Sequence, residues 1–210
     1  MFITIEGGEG SGKSTLIQGL KQALEEKGFT VLATREPGGT ILGDRVREML
    51  LAQSDTLKVG VLAELFLFLA SRSQHLEEVI IPALARGDIV ISDRFNDSTV
   101  AYQGRARGLG ETRVRALAHE ACGGFLPDFT ILLDIDPKIG LQRSKITHKQ
   151  ESQAGSHDRI ESETLNFHIT VREALLDEVK NRKNTLIIDA THTKEAIIQE
   201  ALTHIEKLLK

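Results

Sequence analysis

The sequence predicts an α/β fold: three layers, in which a five-stranded parallel sheet is flanked by helices and carries a small lid segment. Three observations predict it. Five short runs are apolar and β-branched, longer segments with a helical repeat of apolar residues separate them, and a glycine-rich stretch, GGEGSGKST, joins the first run to the first helical segment. Strands joined through a covering helix run parallel, because the crossover returns the chain to the end of the sheet from which the previous strand began.

The strands are FITIE (2–6), TVLATR (30–35), DIVISD (88–93), FTILLDI (129–135) and TLIIDA (185–190). In the first helix Leu16, Leu20, Ala23 and Leu24 share a face, and Gly28 is the expected left-handed stop. Leu42, Val46, Met49 and Leu50 form the next apolar stripe. Residues 57–86 read as one or two helices, with Pro82 marking a kink or a new start. A helix is expected from about Thr112 to Ala121, and another from Lys194 to Leu209 covers the fifth strand. Ser144 to Asp158 is polar and has no sustained apolar period, which reads as a flexible lid within a single domain of residues 1–210.

Hydrophobic residues make up 40% and charged residues 27% of the chain, the usual globular balance. The formal charge of -4 excludes a non-specific polyanion binder, which needs a net basic face. The lone Cys122 cannot form an internal disulfide and reads as a small packing residue. The seven histidines show no zinc-site spacing and are expected at surface or lid positions. No run reaches the roughly 18–20 apolar residues of a membrane span, and no basic region precedes an apolar signal core, so a cytoplasmic protein is expected.

Gly7, Gly12, Lys13 and Ser14 match the G-x-x-x-x-G-K-[ST] pattern between a strand and a helix, the P-loop NTPase arrangement. Glycines let successive backbone N–H groups turn toward phosphate oxygens, and the helix N-terminus adds its positive end. Gly7, Gly8, Glu9, Gly10, Ser11, Gly12, Lys13, Ser14 and Thr15 are therefore expected to hold ATP, with Lys13 on the terminal phosphates and Ser14 on Mg²⁺. Asp93 ends the third strand, where a P-loop protein places a metal-side carboxylate, and Arg94 beside it would face the phosphates. Alone, an aspartate there also fits a simple turn cap. The chain has neither an Asn-Lys-x-Asp guanine-reading tetrad nor an LSGGQ-like signature, so a kinase is the better class.

IEGGEGSGKST, TREPGGT (34–40), LFLFLASRSQH (65–75), ISDRFNDSTVAYQG (91–104), GLQR (140–143) and DRIE (158–161) together resemble the bacterial-type thymidylate kinases, in that family's order and over nearly the whole chain. The resemblance implies phosphoryl transfer from MgATP to dTMP, a homodimer and a closing lid. Phe68 by itself reads as a core residue; the resemblance makes it the ring that stacks on thymine, with Arg72, four residues on and so on the same helical face, donating to the base's carbonyl edge. It implies Ser98 and Gln103 in the base pocket, Tyr102 against the sugar's 2′ position and Glu9 at the 3′-hydroxyl. Arg35, Arg72, Arg94 and Lys13 would make a cationic pocket in an acidic protein, and Glu36-Pro37 resembles a bond held cis.

A phosphate monoester is already a nucleophilic anion at neutral pH, since its second pKa is about 6, and no general base is required. Lys13, Asp93 and Arg94 are then expected to act by charge and orientation. Family members carry arginines within the lid, yet between Arg143 and Arg159 this chain has only Lys145, Lys149, His148 and His157. The missing cation is expected from Arg143, which is also expected at ATP, or from Arg159. Two other readings of the same motifs stay open: a kinase for another pyrimidine monophosphate, and a nucleotide-binding regulator with little turnover.

Overall fold

Five strands, β1 (Phe2–Gly7), β2 (Val31–Arg35), β3 (Ile89–Asp93), β4 (Phe129–Asp134) and β5 (Thr185–Asp189), pair in parallel in the order β2-β3-β1-β4-β5. Each lies within one residue of the run that the sequence marks. The computed structural model describes residues 1–52, 57–150 and 159–209. The helices are α1 (Lys13–Glu25), α2 (Ile41–Leu51), α3 (Val61–His75), α4 (Ile81–Ala85), α5 (Asn96–Thr99), α6 (Glu111–Ala121), α7 (Pro137–Gln150), α8 (Leu165–Val179) and α9 (Lys194–Leu208). Two π-helical stretches, Leu76–Ile80 and Val100–Ala106, extend α3 and α5.

The alternation of β1 sets the three layers. Ile3 and Ile5 point to one face, where Leu16, Leu20 and Leu24 of α1 and Ile197, Ala201 and Ile205 of α9 cover them. Phe2, Thr4 and Glu6 point the other way, toward the α5 and α8 side, and Phe2 packs with Val90 and Phe95 there. Every residue of β1 is buried, as expected for a central parallel strand. Gly28 has φ 88, the left-handed stop after α1.

The reading of 57–86 as one or two helices, with a new start at Pro82, agrees with the structure: α3 runs through a π stretch into α4, which has Pro82 in its first turn, and the Ile81 N–H reaches back five residues to the Leu76 carbonyl. Three expectations differ from the structure. Only Val46 and Leu50 of the α2 stripe are buried; Leu42 and Met49 are 46% and 41% exposed, because α2 rests on α3 through a narrower seam. Residues 144–150, expected in the flexible lid, continue α7, since that stretch lacks glycine and proline and a nucleated helix propagates cheaply. The rest of the expected lid, 151–158 with His157, and the side chains of His148 and Lys149 lie outside the described residues. Finally, His75 and His168 are buried, not surface positions, and His75 is taken up by bonds to Thr34 and Glu36. Residues 96–106, to which the sequence reading gives no element, are helical throughout.

The loop between β1 and α1 is wedged against α7. Gly10, at φ 65, lies so close to Gly140 that a side-chain carbon on it would sit 2.0 Å from the Gly140 carbonyl oxygen; one on Gly140 would sit 2.2 Å from the Glu9 carbonyl oxygen. Both obstacles are backbone, which cannot rotate away. Gly140→Ala is expected to lower stability by roughly 1–3 kcal/mol in urea unfolding and to weaken ATP binding measured by calorimetry, because the loop or α7 must move. Unchanged values for both would mean the contact is soft.

Candidate active site

Gly12, at φ 93, precedes α1 and offers no side-chain cap, which leaves the first N–H groups of that helix to a ligand. Lys13, only 8% exposed, donates from Nζ to the Gly7 and Gly8 carbonyls at 3.1 and 3.0 Å. Burial, and then the charge of Arg94, hold its pKa below the ordinary lysine value. Glu9 accepts from Arg94 Nη2 at 2.6 Å and from the Tyr102 hydroxyl at 3.1 Å. Burial alone would raise the Glu9 pKa, but the charges of Arg94 and Lys13 outweigh it and hold the carboxylate ionised.

At the end of β3 the chain turns through Arg94, whose φ of 72 is the one positive value at a non-glycine among the described residues. Its N–H bonds the Ile5 carbonyl at 3.0 Å, its Nη1 donates to the Gly7 carbonyl and to Ser98 Oγ, each at 3.1 Å, and its guanidinium lies 5.0 Å over the Tyr102 ring. Beneath the turn sits Glu6, fully buried, accepting from the Phe95 N–H at 2.8 Å and from Ser98 Oγ at 2.5 Å. Burial, with the neighbouring charge of Asp97, pushes the Glu6 carboxyl up to about 7.

The facing wall is α3. Phe68 and Arg72, one turn apart, both border the cavity as their spacing predicts. Arg72 is 2% exposed, with Nε on Glu36 Oε2 at 2.6 Å, Nη1 on Asn96 Oδ1 and Thr99 Oγ1 at 2.9 and 2.8 Å, and Nη2 on the Phe95 carbonyl at 3.0 Å. Four of its five N–H donors are thus used, leaving one on Nη2. Glu36, before the cis bond to Pro37, also bonds His75 Nδ1 at 3.0 Å. Gln103 donates to Glu64 at 2.9 Å.

A single cavity of about 760 Å³ joins these parts. Glu9 to Thr15, Arg35, Phe68, Arg72, Asp93, Arg94, Ser98, Tyr102, Gln103 and Arg143 all line it. Gly7 and Gly8 stand behind the lining, with their carbonyls on Lys13. Compared with known proteins, the chain matches the family model described as "Thymidylate kinase" over residues 5–201. It is 49% identical over 207 residues to a thymidylate kinase of Protochlamydia amoebophila, covering 98% of this chain and 92% of that one. With a thymidylate kinase of Solidesulfovibrio magneticus it shares 46% over 212 residues and the full length of both. The crystal structure of thymidylate kinase from Ehrlichia chaffeensis superposes with a TM-score of 0.74 at 31% identity, over 98% of each chain.

The chain belongs to the thymidylate kinase family.

One family-based expectation does not hold in the geometry. Arg159, taken as a candidate for the lid-side cation, is absent from the cavity lining: its Nη2 pairs with Glu64 and its Nε donates to the Leu50 carbonyl at 3.0 Å. Glu64 is 1% exposed and ionised, since hydrogen bonds from Arg159 and Gln103 and the charge of Arg107 outweigh the effect of burial. A buried carboxylate of that kind attracts the nearest arginines, and Arg159 answers to it instead of to the cavity. Arg143, the other candidate, does line the cavity and donates from Nη1 to the Ala190 carbonyl at 2.7 Å.

For a magnesium ion the chemistry of the residues fits. Asp93 Oδ1 is buried without a hydrogen-bond partner among the described residues, and Asp93 and Ser14 line the same cavity. No group of three or more His, Cys, Asp or Glu among the described residues makes a protein cage, which suits an ion that takes most of its ligands from phosphates and water. Glu6 and Glu36 are the buried carboxylates around the cavity to which the sequence reading gives no role. Glu36 lies in TREPGGT, where the proline draws the eye, and Glu6 closes an apolar run where a carboxylate reads as the exposed end of a strand.

Glu6 gives a signed pH dependence. Its folded pKa lies above the unfolded value of 4.5, so its contribution to stability is complete below about 4.5 and is lost as the pH rises through about 7. The stability of Glu6→Gln relative to the parent, by urea unfolding, is expected to increase between pH 5 and pH 8. A gap independent of pH would mean that the carboxyl titrates normally.

Proposed function

We propose that this chain transfers the γ-phosphoryl group of ATP to dTMP, giving ADP and dTDP for dTTP synthesis. The observation that carries the reading is the single cavity running from the phosphate loop to the Phe68–Arg72 wall, with Arg94 between them. Two polyanions brought end to end there meet Lys13, Arg94, Arg35 and Arg143. That resolves how an acidic protein takes an anionic substrate: positive charge is gathered at one place.

In this reading the loop N–H groups and Lys13 hold the donor phosphates, and Ser14 and Asp93 would hold Mg²⁺, which would supply charge neutralisation there. Arg94 stabilises the moving phosphoryl group, and no side chain needs to take a proton from the acceptor. Phe68 stacks on the pyrimidine, while the remaining Arg72 N–H meets a carbonyl oxygen of thymine. With cytosine the same N–H would face an amine and stay buried and unpaired, a mismatch that discriminates strongly. Tyr102, tethered to Glu9, crowds the 2′ position, and Glu9 takes the 3′-hydroxyl. Arg143 supplies the lid-side cation. Segment 144–158 acts as the closing lid of a single domain.

A homodimer completes the reading. Val61, Leu62 and Phe66 of α3 are 39%, 40% and 50% exposed, and Ile41, Leu42 and Met49 of the adjoining α2 also lie in solvent. Apolar side chains gathered on two neighbouring helices suit a partner surface. A cytoplasmic setting agrees with the buried thiol of Cys122, and no described helix is long and apolar enough to cross a membrane.

ADP formation should depend on dTMP, fall by about 10–200-fold with dUMP, which lacks one methyl, and fall further with dCMP and dGMP. Lys13→Ala should lower kcat by about 10²–10³-fold. ADP release indifferent to the monophosphate would overturn the reading. Phe66→Glu should shift the sedimentation velocity profile from dimer to monomer; a dimer that persists would place the interface elsewhere.

A further inference from the structure

Glu6 lies buried beneath the cavity and does not line it. Both its oxygens are used as acceptors, one by the Phe95 amide and one by the Ser98 hydroxyl. Ser98 Oγ in turn accepts from Arg94 Nη1. A chain of hydrogen bonds therefore runs from the buried carboxylate through Ser98 to the guanidinium, while a second contact from the same carboxylate pins the residue that follows Arg94. Arg94 is also the residue at φ 72, a conformation costing roughly 1–2 kcal/mol at an ordinary side chain, which persists only when its surroundings over-determine it. We propose, on the footing of the phosphoryl-transfer reading above, that Glu6 is a positioning residue for that reaction: in its ionised form it holds the Arg94 turn and, through Ser98, aims the guanidinium into the cavity.

Donor counting favours the charged form. Phe95 N–H and Ser98 O–H are both donors, so the group between them must accept twice. A carboxylate does so. A carboxyl group or an amide offers a hydrogen to Ser98 instead, so that hydroxyl must turn its own hydrogen elsewhere, and Ser98 Oγ then shares its two lone pairs between the incoming hydrogen and Arg94 Nη1, which loosens the link to Arg94. A carboxylate at this depth also carries a stability penalty, since burial raises its pKa to about 7. Retaining it there is intelligible if its charge is used. The charged groups that act on Glu6 among the described residues are Asp97 of α5, Arg94 of the turn, Lys13 of α1 and Arg182, which follows α8. Asp97 is itself neutralised by a bidentate pair with Arg182 at 2.8 and 2.9 Å.

The test compares the parent with Glu6→Gln and Ser98→Ala in the full chain, by steady-state kinetics across pH 5.5–8.5 and by crystallography without substrate. Glu6→Gln is expected to lower kcat by about tenfold or more with little change in the KM for ATP, the signature of an interaction made in the transition state. In the parent, kcat should fall as the pH drops through about 7; in Glu6→Gln that limb should vanish, leaving only the one near 6 that belongs to the phosphate monoester. Ser98→Ala, which keeps the carboxylate but cuts the link, should lose the same limb, and it carries the test if Glu6→Gln fails to fold. In the Glu6→Gln crystals the Arg94 guanidinium should leave Ser98 and Gly7. Parental kcat and pH profile in both variants, or an Arg94 unmoved in the crystal structure of either, would overturn the proposal. An inactive parent would instead count against the phosphoryl-transfer reading, and the Arg94 position would still decide this one.

Discussion

Parallel pairing of β1 with β3 sets Ile5 opposite Asp93, so the two segments that leave the sheet at that edge, the phosphate loop and the Arg94 turn, emerge side by side. The pairing continues one bond past the strand, from the Arg94 amide to the Ile5 carbonyl, and then passes to side chains: Arg94 to Glu9, Gly7 and Ser98. In open α/β sheets the crevice beyond the strand ends is where ligands bind, and here that crevice is bounded by charges fixed to backbone on both sides.

The cations of the cavity are held to different degrees, and the difference matches the roles proposed for them. Arg72 is locked by four hydrogen bonds and the face of the Phe95 ring, so its remaining donor points one way before any ligand arrives. Such preorganisation suits reading a base, where direction decides. Arg35 is 57% exposed and reaches Asp44 only at 3.4 Å, an arrangement that gives way easily to a phosphate. Glu36 explains the contrast, because it serves Arg72 and His75 together from a buried position.

Residues 151–158 are flanked by segments that are tied to different walls of the site. Upstream, α7 touches the phosphate loop glycine to glycine. Downstream, Arg159 is fastened to Glu64 and to the carbonyls of Leu50 and Leu51, alongside Arg107 and Gln103. Donor side and acceptor side are thereby joined through the chain that lies between α7 and α8.

The sequence by itself determined the five strands, the phosphate loop and its lysine, the Phe68–Arg72 spacing and the family, because each rests on local periodicity or on a contiguous motif. It also pointed to Asp93, Arg94, Tyr102 and Glu9 as neighbours of one site. What it left undecided concerns charges that find partners far along the chain. Arg159 and Arg143 look alike on either side of a polar stretch, yet a carboxylate 95 residues away claims one of them. Glu6 looks like the end of a strand, yet strand order alone buries it beneath residues 95–98. Leu42 and Val46 belong to one stripe, yet only the width of the seam with α3 separates the exposed from the buried. Local pattern is fixed by the spacing of neighbours, whereas the fate of a charge or the edge of a core is fixed by which distant surfaces meet, and only the tertiary structure decided those.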